Sequence, residues 1–107
     1  MMAQEVDPRQ AIPIIEKFWD TPDGIFYRLR QGEYTPRAVD EVEAVLRSVR
    51  IDGEVDLPRR FVSLTWFIPM FMEWQIERVA ERGGDVAALR QDITRLRNAL
   101  NDLLGVP

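Results

Sequence analysis

From Phe61 to Met72 the chain carries no charged residue, and Ser63 and Thr65 are the polar exceptions within the run. A helix that is apolar on every side belongs in a core, and this run falls well short of the ~20 apolar residues that span a bilayer. The pattern therefore predicts a central, mostly buried helix over residues 57–82. Asp56 is placed to be its N-cap and Pro58 lies in the first turn, where a missing N–H costs nothing. Beyond Met72 the apolar positions thin to Trp74, Ile76, Val79 and Ala80, while Glu73, Glu77 and Glu81 recur at every fourth place. The second half of the helix therefore has one wet side. Pro69 should displace the Thr65 carbonyl from its helical partner and kink the helix, with the Thr65 hydroxyl near enough to compensate.

Downstream, Gly83-Gly84-Asp85 supplies a helix stop and a new N-cap in three residues, which predicts a tight antiparallel return. Residues 86–104 then place Val86, Leu89, Ile93, Leu96, Leu100 and Leu103 on one narrow seam. An antiparallel return brings Glu77 level with Arg90 and Glu73 level with Thr94. Upstream, Thr35-Pro36 opens an amphipathic helix to about Arg50, with Val39, Val42, Leu46 and Val49 inward and Ala38 and Val45 widening the stripe. Asp40, Glu41 and Glu43 stand early and Arg47 and Arg50 late, as the helix dipole favours, and Glu43 and Arg47 form an i,i+4 pair.

Asp7-Pro8-Arg9-Gln10 has the form of a capped helix start, but Pro13 should interrupt it, leaving a working helix from Ile12 or Pro13 to Trp19. Thr21-Pro22-Asp23-Gly24 is a turn or a second cap. Residues 25–31 fit a strand through Ile25, Tyr27 and Leu29 and a helix through Ile25, Phe26 and Leu29. No second strand candidate offers itself as a partner, so helix is predicted, stopped by Gly32. The expected fold is all-α: a compact bundle of four or five helices around the central, Pro-kinked helix, in a single helical domain spanning 1–107.

The length suits one core, and 46% hydrophobic residues with three Trp and five Phe suit a folded globule. A formal net charge of -4 makes general nucleic-acid binding unfavourable without a segregated basic patch. The start of the chain, Met1 to Pro8, lacks the basic and apolar segments of a secretion signal, which predicts a cytoplasmic location.

The chain has no His and no Cys, so the usual zinc sites, disulfides and serine or cysteine triads have no residues to build them. Phosphate-binding glycine loops are also missing. Asp52, Glu54 and Asp56 invite a calcium reading, but Gly53 follows the first Asp directly and Ser63 stands where a bidentate Glu is needed. Neither a metal nor a cofactor is expected. Lys17, the sole lysine, is read as a surface residue with its stem on a neighbouring aromatic. Arg28, Arg30 and Arg37 with Tyr27 and Tyr34 form a weak anion-binding candidate beside the simpler reading of solvated faces.

A non-enzymatic protein-binding module is the function this pattern predicts. In profile the chain resembles the small acidic helical immunity proteins, antitoxins and other inhibitors that bacteria keep against basic toxins. Under that resemblance a basic protein partner meets the ridge of Glu73, Glu77 and Glu81 or the group of Asp40, Glu41 and Glu43. Two alternatives stand beside it. One is a structural or adaptor subunit, a possible homo-oligomer, pairing through the Leu seam of residues 86–104. The other is a small-molecule binder or enzyme using a pocket near Pro69 and Glu73.

Overall fold

The computed structural model describes residues 5–53 and 55–107. Asp7 caps the first helix, α1 (Pro8–Asp20), through the reciprocal box that the sequence predicts. Its carboxylate accepts the Gln10 N–H at 2.9 Å and the Gln10 side chain accepts the Asp7 N–H at 2.9 Å. Pro13 does not interrupt the helix as expected. The carbonyl it leaves without an N–H belongs to Arg9, on an exposed turn where water can satisfy it. Ala11, Ile15, Phe18 and Trp19 face inward.

The Thr21–Gly24 turn follows, its Thr21 hydroxyl donating to the Lys17 carbonyl at 2.8 Å. Residues 25–31 resolve in favour of helix: α2 (Ile25–Leu29) buries Phe26 and Leu29 and ends before Gly32, which has φ +82°. The next helix starts later than Thr35-Pro36 suggests. Arg37 adopts φ 69°, which no right-handed helix accommodates, so residues 36–39 form turns and α3 runs from Asp40 to Ser48. Val39, Val42, Leu46 and Val49 are nevertheless all buried, as the apolar stripe requires. A parallel bridge between Val6 and Val49 ties the residues before α1 to the exit of α3, with N–H to carbonyl distances of 3.0 Å and 2.8 Å.

The predicted helix over 57–82 is three helices: α4 (Arg59–Trp66), α5 (Ile68–Trp74) and α6 (Ile76–Glu81). It starts after Pro58, and Asp56 makes no capping bond. Pro69 causes more than a kink. Phe67 ends α4, its N–H turning back to the Thr65 carbonyl, and Pro69 falls in the first turn of α5, where its ring is tolerated. The Thr65 hydroxyl bonds backward to the Phe61 carbonyl at 3.0 Å and does not reach across the break. A second break falls at Gln75.

Gly83, at φ +75°, turns the chain into α7 (Val86–Leu104), where the Asp85 carboxylate accepts the Ala88 N–H at 3.0 Å. The α1 helix packs against α2, α3 and α4, while α7 packs against α3, α5 and α6. The result is an all-α bundle; the described residues contain no β-strand. Leu89, Ile93, Leu96 and Leu100 of the α7 seam are buried by the chain's own helices. Trp19 joins the two halves. Its ring lies 4.5 Å from Phe26 and 4.9 Å from Phe71 between centroids, and its indole N–H donates to the Leu64 carbonyl at 3.0 Å. No described helix is long and apolar enough to cross a membrane.

Candidate interface

The run from Phe61 to Met72 is apolar all round, yet it is not buried all round. Trp66 is 52% exposed, Met70 41% and, just beyond the run, Trp74 64%. Four-residue spacing puts the three on one side of α4 and α5, opposite the side that carries Phe61, Leu64, Ile68, Phe71 and Met72 into the core. Phe67, at the break, knits them together. Its ring centroid is 5.5 Å from that of Trp66 and 5.2 Å, edge to face, from that of Trp74. Large aromatic side chains left in water on one contiguous stripe are unusual for a small protein, which has other residues for its surface.

Beside this stripe runs a groove of about 260 Å³, walled by Trp19, Leu64 and Phe67 and rimmed by Asp20, Arg30, Arg60 and Ser63. Arg60 is held by Glu16 at 2.9 Å and Asp20 at 3.8 Å. Arg30 lies over the Phe71 ring, 5.4 Å from its centroid, and its backbone carbonyl accepts a bond from the Arg78 guanidinium. Gly32 supplies the room for this approach. A Cβ there would come within 2.9 Å of Arg78 Cγ and 2.8 Å of Arg82 Cδ. Arg30, Arg78 and Arg82 thus share the end of α2, and neither they nor Arg59 have a carboxylate within ion-pair distance among the described residues.

The acidic candidates are distributed differently. Asp40 and Glu43 both bind the guanidinium of Arg95, each at 2.7 Å, and Arg95 also takes Asp92 at 3.0 Å. The Arg95 guanidinium holds the Asp40 and Glu43 carboxyls below the usual carboxylate range. Burial, and then the bond its hydroxyl donates to Asp92, pushes the Tyr34 phenol upward. Glu43 also meets Arg47 at 3.5 Å, the predicted i,i+4 pair. Glu73 pairs with Arg97 at 2.6 Å. Glu77, placed level with Arg90 by the antiparallel return, makes no ion pair with it; the register of α7 instead brings Glu73 to Arg97, one turn past Thr94. Glu41, Glu77 and Glu81 are exposed and have no cationic partner among the described residues.

Of the alternative pocket expected near Pro69 and Glu73, Glu73 lines a hollow of about 170 Å³ with Ile76, Arg90, Ile93, Thr94 and Arg97, to which neither Pro69 nor an aromatic ring contributes. Lys17 is exposed. Arg28 pairs with Glu33 at 3.4 Å and Arg37 with Asp40 at 3.3 Å, so the proposed arginine–tyrosine group is split among internal partners. Of the loop acids read for calcium, Glu54 lies outside the described residues, and no group of three possible metal ligands occurs among the described ones.

Two things escaped the sequence reading. The exposed Trp stripe escaped because an apolar run was taken as buried on every side; the two tryptophans and Met70 at four-residue spacing were the available signal. Buried Asp92 escaped because its second partner, Tyr34, lies 58 residues away; Arg95, one turn on along α7, was the local signal that an acid among Leu89, Ile93 and Leu96 is paired. No protein-family model matches the chain, nor does any curated protein or any solved structure.

Proposed function

We propose that this chain is a non-enzymatic protein-binding module whose contact surface is the face of Trp66, Phe67, Met70 and Trp74. The observation that carries the proposal is the exposure of two tryptophans and a methionine on one stripe. Trp and Met are enriched where proteins meet, and a desolvated Trp is a frequent energetic anchor. The lack of His and Cys in the sequence supports a binding role over a catalytic one. The α7 seam, already covered by α3, α5 and α6, is a poor candidate for the contact. The test is affinity capture from the native cells with the tagged chain and with a Trp66→Ala, Trp74→Ala variant. A stoichiometric partner held by the first and lost by the second is the expected result; equal recovery by both removes this face from the interface.

A second reading keeps the inhibitor of a basic protein. It is favoured by Glu77 and Glu81 on α6, just beyond Trp74, which are exposed and have no cationic partner among the described residues. Asp40, Glu43 and Glu73 contribute less to it, since arginines of the same chain already neutralise them. Under this reading, reversing Glu77 and Glu81 to Arg slows association sharply at low salt. An unchanged on-rate sinks it.

A further inference from the structure

We propose that the occupant of the aromatic face is an acidic amphipathic segment of a partner protein. Its apolar residues lie on Trp66, Met70 and Trp74 and enter the groove beside Phe67, and its carboxylates meet Arg30, Arg78 and Arg82. The inference rests on the reading of this face as a protein-binding surface and adds the chemistry of what binds there.

Charge carries the step. The molecule as a whole is acidic, at -4, but its unpaired charges around this face are not. Arg30, Arg59, Arg78 and Arg82 lack a carboxylate within ion-pair distance among the described residues, against Glu77 and Glu81 on the acidic side. On the groove's rim Arg60 is taken up by Glu16 and Asp20, and elsewhere Arg28, Arg37, Arg47, Arg50, Arg95 and Arg97 each hold an acid. Arg9 on α1 and Arg90 on α7 also lack an acid among the described residues, but they stand singly. Arg30 lines the groove beside Phe67 and its carbonyl holds Arg78, so cations collect at the edge of the exposed aromatics, as electrostatic complementarity requires of a surface awaiting anions. Arg30 is also preset for the task. Its guanidinium is oriented by the Phe71 ring, so little freedom remains to be lost when a carboxylate arrives.

The same tally weighs against other occupants. A second copy would bring the same excess of cations to the contact and leave it uncompensated. A nucleic-acid strand presents phosphates in continuous succession, and Glu77 and Glu81 alternate with Arg78 and Arg82 along α6, where they would repel it. The separate carboxylates of a peptide can meet the arginines singly. A helix laid in the groove is a familiar way for such a segment to dock.

The experiment is selection of a phage-displayed random peptide library on the full chain, counted against selection on the Trp66→Ala, Trp74→Ala variant, both checked for fold by circular dichroism. Enrichment of peptides rich in apolar residues and in Asp and Glu, absent with the Trp variant, is the expected result. The best such peptide should then lose about tenfold or more in affinity for an Arg78→Glu, Arg82→Glu variant, and less than that at high salt. Should Arg78→Glu disturb the fold through its bond to Arg30, Arg82→Gln with Arg30→Gln gives the same reading with milder changes. Neutral or basic peptides enriched on the wild type and lost on the Trp variant would leave the protein-binding face standing and overturn the acidic occupant. Equal enrichment on both proteins would overturn both. A labelled single-stranded oligonucleotide that binds through Trp74 would do the same, whereas a dimer by sedimentation that Trp66→Ala, Trp74→Ala dissolves would keep the protein-binding face and overturn the acidic occupant, since a second copy would then cover it.

Discussion

At the scale of single residues the most consequential group is Asp92, which is 5% exposed on α7 and bonded by both the Tyr34 hydroxyl and Arg95. A buried polar atom that loses its partner costs more than the bond itself contributes. Asp92→Ala strands the phenol of Tyr34 and should lower stability by about 1–3 kcal/mol, read by urea denaturation. Protonation should act on the same network. Because Asp40 and Glu43 have depressed folded pKa values, the stability they contribute is whole above their unfolded values and is lost as pH falls through the folded ones. The Tyr34 pKa is raised, so its contribution is whole below the unfolded value of about 10 and is lost as pH rises past it. Stability should therefore fall in both acid and alkali, and Tyr34→Phe should flatten the alkaline limb without touching the acid one. A Tyr34→Phe protein with an unchanged alkaline limb would place that loss elsewhere.

At the scale of elements, what was readable in the sequence was what neighbours dictate. The Asp7–Gln10 box, the Gly32 stop, the Asp85 cap and the inward stripe of Val39, Val42 and Leu46 all depend on residues within a turn or two, and all stand where expected. At the two interior prolines and on the outer side of the apolar run, where the outcome depended on what distant elements cover, the reading failed. Pro13 is tolerated where Arg9 lies on an exposed turn, while Pro69 divides a helix whose Thr65 is buried in the core. The joint between α1 and α2 tests how closely these elements pack. Gly24 is buried, and a Cβ there would lie 2.3 Å from the Lys17 carbonyl oxygen and 2.5 Å from that of Phe18, backbone atoms that cannot rotate away. Gly24→Ala should cost about 1–3 kcal/mol or more as overpacking, seen as a lowered urea midpoint. The same change at Gly53, where nothing lies within 4 Å, should cost only what its φ of +60° imposes.

At the scale of the whole molecule, the candidate face could not be read from the sequence because it is defined by what does not cover it. Trp19, Trp66 and Trp74 look alike along the chain; the first is buried on α1 against α2, α4 and α5, and two stand in solvent. The unpaired arginines were equally hidden, since Arg30 and Arg78 stand 48 residues apart and meet only when α6 closes over the end of α2. That way of closing has a consequence for the time the chain needs to fold. The Trp19 indole finds the Leu64 carbonyl across 45 residues, and Arg95 finds Asp40 across 55. Neither contact rewards the chain until its distant ends have met, and the entropy of closing those loops comes first. Helix bundles stitched from sequential neighbours fold in microseconds to milliseconds, and more distant pairings slow the search. This helical protein should therefore fold at the slow end of that range, with substitutions at Trp19 and Leu64 slowing folding and those at the Asp7 cap mainly hastening unfolding.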